Sequence, residues 1–279
     1  MRPSLSAWEL RAHGWAARLG QRGSERRDSR LHRLIDTCAV RYHQTFENLN
    51  YEMQQNGESR VLKILQTADP RCVFDVGANQ GDWTTMVCQT LPQAHIHSFE
   101  VAPPTFEKLR QRVEGNTRVT ANSFGLGAGR QTIVLHYVAD ADGQSSCVEV
   151  THARPTAQIE VQIDRGDDYC AANNIARIDF LKADVEGMDG DVLKGFSQML
   201  AGGAIRVVQF EYGFVSIAAH FLLRDFYEML IPLGYRLGKI YPRTVRFKDY
   251  EWKDEDFIGP NYLAVHHSEN DLVARLERG

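Results

Sequence analysis

From residue 70 onward, short apolar runs alternate with stretches of helical spacing. Cys72-Val73-Phe74-Asp75-Val76 ends in Gly77 and His95-Ile96-His97-Ser98-Phe99 ends in Glu100; further runs lie at 119–124, 178–181 and 205–210. Buried parallel strands read as nearly continuous apolar stretches of this kind. Segments 83–91, 106–113 and 190–200 carry helical spacing. Strands alternating with helices predict right-handed crossovers and a parallel sheet covered on both faces. Two segments break the rhythm: 131–138 alternates through Ile133, Leu135 and Tyr137, and 158–164 through Ile159, Val161 and Ile163. They predict an antiparallel pair inserted after the third parallel strand. Between them, Asp140-Ala141-Asp142-Gly143 and Arg154-Pro155 are loop signatures. Residues 235–240 and 261–266 are further strand candidates.

The first 60 residues read as helical and polar. Leu5, Trp8, Ala12, Trp15 and Leu19 form a helical stripe, and Arg2, Arg11, Arg18, Arg22, Arg26, Arg27, Arg30 and Arg33 make this arm basic. Such a stripe packs on its own domain, on a second subunit as in a homodimer, or on an anionic membrane surface. The turn Asn56-Gly57-Glu58 ends the arm. The expected organisation is a helical arm over 1–60 and one α/β domain over 61–279, with the insertion at about 130–165.

Composition narrows the classes. The 279 residues carry 32 Lys+Arg against 36 Asp+Glu, a net charge of −4, which disfavours a dedicated nucleic-acid binder. No run approaches the roughly 18 apolar residues of a membrane span, and no secretory h-region follows the N-terminus. Five widely spaced cysteines without a C-x-x-C pair point to reduced thiols in a cytoplasmic protein rather than a disulfide framework or zinc cluster.

The first strand runs into Asp75-Val76-Gly77-Ala78-Asn79-Gln80-Gly81-Asp82, and a helical pattern follows. Glycines at such a turn let the backbone approach a ligand, and the helix N-terminus offers free N–H groups. The spacing is neither G-x-G-x-x-G nor a P-loop. Glu100, at the end of the second strand, suits a ribose diol, which a carboxylate takes in bidentate fashion. An acidic strand end with D-x-G-x-N-x-G fits S-adenosylmethionine. The candidate cofactor-binding residues are Asp75, Gly77, Ala78, Asn79, Gly81, Trp83, Glu100, Val101 and Asp184, with Asn122, Ser123 and Phe124 placed to meet adenine.

The fourth strand ends in Asp179-Phe180-Leu181-Lys182-Ala183-Asp184-Val185-Glu186-Gly187, and the fifth in Gln209-Phe210-Glu211-Tyr212-Gly213. Ionisable side chains at carboxyl-end strand tips sit where open α/β sheets bind ligands. A Lys182–Asp184 or Lys182–Glu186 ion pair alone would also explain them. The order D-V-G-A-N-x-G, F-E-x-x-P-x-x-F at 99–106, I-D-F-L-K-x-D-V-E-G at 178–187, V-L-K-G at 192–195 and Q-F-E-Y-G at 209–213 resembles the FkbM family of S-adenosylmethionine-dependent methyltransferases. Asn56-Gly57-Glu58 and Asn261-Tyr262-Leu263-Ala264-Val265 also fit, so the likeness covers roughly residues 45–267. Asp189 stands where the family usually has a second Glu.

The resemblance implies a Rossmann-like class I methyltransferase fold: a seven-stranded, mostly parallel sheet with an antiparallel last strand and an inserted β-hairpin. It also implies methylation of a hydroxyl on a sugar, a glycan unit or a polyketide-type secondary metabolite. A sugar hydroxyl gains from a base in reach; Asp184 and Glu186 are the candidates, then Glu211 and His220, with Lys182 steadying an alkoxide or fixing Asp184. The other use of Asp184, Glu186 and Glu211 is to hold Mg²⁺ through oxygen ligands. His136 and His152 fall in the insertion, a candidate acceptor lid, and Tyr212, Phe214, Tyr241 and Trp252 are candidates to stack on a sugar. Segments 139–157 and 216–224 are the loops expected to set the acceptor. A nucleic-acid methyltransferase is the weaker alternative, since no N/D-P-P-Y/F loop follows the fourth strand and no Pro-Cys nucleophile exists. A non-catalytic nucleotide-binding scaffold is the other, and the clustered ionisable groups oppose it.

Overall fold

A computed structural model describes residues 6–139, 145–148 and 155–279. Arg2, Leu5, Asp140 to Gly143, His152 and Arg154 lie outside the described residues. The chain divides into two compact units, Met1–Glu47 and Asn48–Gly279, so the boundary falls before the Asn56-Gly57-Glu58 turn and not at it. The first unit holds α1 (Ala7–Glu25) and α2 (Arg30–Phe46). Its α1 starts where Glu9 accepts from the Ser6 N–H at 2.7 Å, satisfying one free N-terminal donor.

The second unit alternates strand and helix. Its strands are β1 (Cys72–Val76), β2 (His95–Phe99), β3 (Val119–Asn122), β4 (Gly125–Gly127), β5 (Gln131–Tyr137), β6 (Ala157–Arg165), β7 (Phe180–Ala183), β8 (Val207–Glu211), β9 (Tyr235–Ile240), β10 (Val245–Phe247) and β11 (Asn261–His266). Its helices are α3 (Glu58–Leu65), α4 (Asp82–Thr90), α5 (Pro103–Arg112), α6 (Gly166–Ala172), α7 (Asp189–Gly195), α8 (Ser197–Ala201), α9 (Val215–Ala219), α10 (Leu223–Leu230) and α11 (Asn270–Glu277).

Among the described residues the main sheet has eight strands in the order β10-β9-β11-β8-β7-β1-β2-β3. The five strands from β8 through β7, β1 and β2 to the edge strand β3 are parallel, and β11 is antiparallel to both β8 and β9. The strand beyond the expected seven is the three-residue β10, antiparallel to β9 at the edge. The inserted antiparallel pair is present, with Gln131 opposite Ile163 and Tyr137 opposite Ala157. It is more than a hairpin, because β4 pairs parallel to β6 and makes a separate three-stranded sheet.

Alternation along each parallel strand sends side chains to opposite faces. Phe74, Leu181, Val208 and Phe210 pack in one buried cluster with Val192, Phe196 and Phe226 from α7, the α7–α8 junction and α10. Val73, Phe180 and Val207 pack in the other with Val61, Leu62, Trp83, Val87 and Leu272 from α3, α4 and α11. The same alternation turns Asp75 and Lys182 toward the second face, where they must find polar partners.

Candidate active site

Loops at the carboxyl ends of β1, β2, β7 and β8 converge on one cleft. The N–H groups of Gly77 and Ala78 donate to the carbonyl of Phe99 at 3.0 and 2.9 Å, locking the β1 loop to the end of β2. Gly77 has φ of +83°, and a Cβ there would stand 1.9 Å from the carbonyl oxygen of Asp184, so this approach of the β1 loop to the β7 tip requires glycine. Asn79 adopts φ of 49°, a left-handed conformation that Asn tolerates better than most residues. Its N–H donates to Glu100 Oε2 at 2.9 Å, and the Ala102 N–H donates to Oε1 at 2.8 Å. Two backbone donors thus hold the Glu100 carboxylate in the wall of the cleft.

The cleft measures about 800 Å³, the size of a drug-scale ligand site. Gly77, Ala78, Asn79, Glu100 and Val101 line one end. Leu126 of β4, Ile133 and Leu135 of β5, Ile163 of β6 and Cys147 add an apolar wall from the small sheet. Lys182, Asp184, Glu186, Glu211 and Phe214 line the other end, and Tyr51, Glu58 and Asn261 complete it.

Electrostatics at that end is set by crowding of carboxyl groups around one buried ammonium. Lys182 Nζ lies 2.7 Å from Asp184 Oδ2 and 3.9 Å from Asp75 Oδ1. Burial disfavours its charge, but Asp184, Asp75 and Glu58 outweigh burial and raise its pKa. Burial pushes Asp184 up as well, yet the Lys182 ammonium holds it below the ordinary aspartate value. One oxygen each from Asp184, Glu186 and Glu211 lies within 4.8 Å of the others. Burial and the neighbouring charges of Asp184 and Asp189 push Glu186 up to about 8. Burial, then Asp184, Glu186 and Asp189, raises Glu211 well above the usual range, and its carboxyl hydrogen-bonds Asp184. Asp189 is buried and accepts from the Glu211 N–H at 3.1 Å; burial and Asp184 push it up to about 7. Glu186 itself has φ of 51°, a strained backbone that clusters at functional sites.

Residues 75–237 match the family model described as Methyltransferase FkbM domain. The chain belongs to the FkbM methyltransferase family. It is 30% identical over 155 residues to Methyltransferase 1 of Beauveria bassiana, covering 49% of this chain and 62% of that protein. Identity is 23% to the 2-O-methyltransferase NoeI of Sinorhizobium fredii, over 50% of this chain and 63% of that one. It is 25% to the hexuronic acid methyltransferase AglP of Haloferax volcanii, over 56% and 64%. The matched part of the chain thus spans less than two thirds of each relative.

The FkbM motifs meet at the cleft, but not every expected residue faces it. Gly77, Ala78, Asn79, Trp83, Glu100, Val101, Lys182, Asp184, Glu186 and Glu211 all line it. Asp75 lies beneath the floor, fully buried, accepting from the Thr84 hydroxyl at 2.6 Å. Gly81 does not line the cleft; it caps the start of α4, and a Cβ on it would meet Leu109 at 2.7 Å. Asn122, Ser123 and Phe124 are not in the lining either. The Asn122 amide donates to the carbonyls of Ser98 and Thr120, and Phe124 packs on Phe99 and Tyr169. Leu126, two residues further on in β4, lines the cleft.

His220 caps the end of α9 with φ of 53° and lies outside the lining. Among the aromatic candidates, Phe214 lines the cleft. Tyr212 is buried and donates to Glu255 at 2.6 Å, and neither Tyr241 nor the exposed Trp252 is in the lining. Sequence reasoning assigned no role to the side chains of Tyr51, Glu58 or Asn261, and it read the insertion as a candidate acceptor lid, where the small sheet lines the cleft. The Asn56-Gly57-Glu58 turn and the polar start of 261–266 were the only signals for them. Among the described residues no helix is long and apolar enough to cross a membrane.

Proposed function

We propose that this chain is an S-adenosylmethionine-dependent O-methyltransferase acting on a hydroxyl of a sugar, a glycan unit or a secondary metabolite. The observation that carries this reading is a single cleft with Glu100 held at one end and a lysine–carboxylate cluster at the other. The residues present fit the donor: the turn through Gly77, Ala78 and Asn79 lines the end of the cleft where its polar end would sit, and Glu100 beside it is the acid that would take a diol. Val101, Leu126 and Ile163 offer apolar cover for a base. Bound there, the donor supplies an electrophilic methyl group.

The chain's own groups then act on the acceptor. Glu186, titrating near neutrality, is the base best matched to take a hydroxyl proton. Asp184 is a weaker base because Lys182 holds it ionised, and that fixed charge offsets the donor's positive charge. Asp184, Glu186 and Glu211 also form an all-oxygen set suited to Mg²⁺, which would fix a sugar diol. Phe214 and Tyr51 present rings at the acceptor end. The relatives named for a 2-O-methyltransferase and a hexuronic acid methyltransferase support a sugar acceptor. An acidic lining works against a polyanionic nucleic acid.

The basic arm is assigned to contact with a second subunit or an anionic surface, and the five free cysteines support a cytoplasmic setting. The test is transfer of labelled methyl from S-adenosylmethionine to a panel of methyl glycosides, uronic acids included, and to bulk RNA. Label on a glycoside supports the reading; label on RNA alone overturns it.

A further inference from the structure

Glu58 lies outside the span matched by the family model, yet it is built into the floor of the cleft. The turn that delivers it is pinned: Gly57 has φ of +110°, and a Cβ there would stand 2.3 Å from the carbonyl oxygen of Tyr241 at the end of β9. The Glu58 side chain is only 4% exposed. Its Oε1 accepts from the amides of Asn56 (2.8 Å) and Asn261 (3.1 Å), and its Oε2 from the amide of Gln209 (2.7 Å). Three amide donors converge on one carboxylate; a glutamine has a single acceptor oxygen and could not meet them all.

These partners are not scattered. Asp75, Lys182 and Gln209 stand side by side on β1, β7 and β8, by register. Asn261 stands opposite Glu211 on the neighbouring antiparallel strand. Glu58 therefore grips the neighbour of Lys182 and the neighbour of Glu211 at once. These hydrogen-bond donors are neutral side-chain amides, so Glu58 reaches Lys182 through Gln209, its neighbour in the sheet, and not by a direct ion pair.

We infer that Glu58 is a positioning residue for methyl transfer: by holding Gln209 beside Lys182 and Asn261 opposite Glu211, it fixes the floor on which the Lys182–Asp184 ion pair stands. This rests on the proposed methyltransferase reading. Asp75 lies 3.9 Å from the ammonium on the adjacent strand, and Glu58 holds the strand on its other side through Gln209, so Lys182 is fixed from both neighbours. The functional unit then reaches beyond the matched span to residues 56–58 on one side and Asn261 on the other.

The test measures S-adenosylmethionine binding by calorimetry on the full chain for the wild type, Glu58→Gln, Glu58→Asp, Lys182→Met and the double variant Glu58→Gln/Lys182→Met. Glu58→Gln is expected to weaken binding about tenfold, with Glu58→Asp between it and the wild type. Because Glu58 acts through Lys182, the double variant is expected to bind no more weakly than Lys182→Met alone. Losses that multiply in the double variant, or Glu58→Gln binding like the wild type, overturn the inference. If Glu58→Gln does not fold, the same cycle runs on Glu58→Asp: a loss confined to the Lys182 background supports the inference, and an equal loss in both overturns it. A second readout is the slowly exchanging ζ-ammonium resonance of Lys182 in ¹⁵N-lysine-labelled protein, identified by its disappearance in Lys182→Met. It is expected to persist in Glu58→Asp and to broaden in Glu58→Gln; an unchanged resonance in Glu58→Gln counts against the inference. A wild type that binds no S-adenosylmethionine defeats the donor reading itself, a different result from a wild type that binds and a Glu58→Gln that binds equally well.

Discussion

The backbone N–H of Asn79 donates to the carboxylate of Glu100 across 2.9 Å, so the loop that ends β1 and the acid that ends β2 form one unit. Glu100 is thereby oriented before any ligand arrives, which lowers the ordering cost of binding. Replacing it with alanine removes two charge-assisted bonds from Asn79 and Ala102 as well as the proposed diol contact. Glu100→Ala is expected to weaken S-adenosylhomocysteine binding by roughly 10- to 100-fold, since bonds to charged groups contribute about 1.5–3 kcal/mol. Calorimetric titration of the variant checks this.

Gly77→Ala is expected to be destabilising. The new methyl group meets the Asp184 carbonyl, which is backbone and cannot swing aside, and φ of +83° strains any L side chain. The cost is expected to exceed about 2 kcal/mol, at the upper end of overpacking effects. Denaturant unfolding measures it, and Gly115→Ala is the control, because nothing lies within 4 Å of a Cβ there although φ is also positive.

The rate of methyl transfer should rise with pH and level off above about 8. Glu186 is active as a base only when deprotonated, and burial with the charges of Asp184 and Asp189 raises its titration to about 8. Glu186→Gln should abolish that limb and lower the rate by about 10²- to 10⁴-fold, the usual contribution of a positioned base. If the Asp184–Glu186–Glu211 set holds Mg²⁺, adding the ion moves the limb to lower pH, because the cation competes with the proton. Initial rates across pH with and without Mg²⁺ read both effects.

Stability, as distinct from activity, should fall on the acid side through Asp179. Burial raises its pKa, but the backbone N–H groups of Arg71 and Cys72 and the guanidinium of Arg206 outweigh burial and hold it below the ordinary aspartate value. A folded-state pKa below the unfolded one stabilises the fold above the unfolded pKa, and that contribution is lost as pH falls through the folded value. Asp179→Asn should therefore lower the melting temperature at pH 7 and flatten its decline below about pH 4, the ordinary aspartate range. Thermal melts from pH 7 to pH 2 test it.

Local signals carried most of the fold. The five parallel strands and the inserted antiparallel pair were legible because burial imposes continuous or alternating apolar patterns on them. β10 was not, since three residues give no period to read. The β1 loop, Glu100 and the Lys182–Glu186 block were legible at the site because each is a short motif at a strand end. The burial of Asp75 below the cleft was not legible, because its side chain follows strand alternation into the second face and meets Thr84. Residues 122–124 stand outside the lining because the chain bends after Asn122 and restarts as β4, which brings Leu126 to the cleft. The turn at Asn56-Gly57-Glu58 was legible but the place of Glu58 in the cleft was not: its partner Gln209 is 151 residues away, a proximity that only the folded topology creates.

A crystal structure of the chain with S-adenosylhomocysteine bears most directly on the central claim, that one cleft joins a donor site at Glu100 to a base at Glu186. The expected result is both ribose hydroxyls on the Glu100 carboxylate, the nucleoside base against Leu126, and the sulfur turned toward Asp184 and Glu186. A nucleoside bound away from Glu100, or a sulfur remote from the Lys182–Glu186 block, would contradict the account.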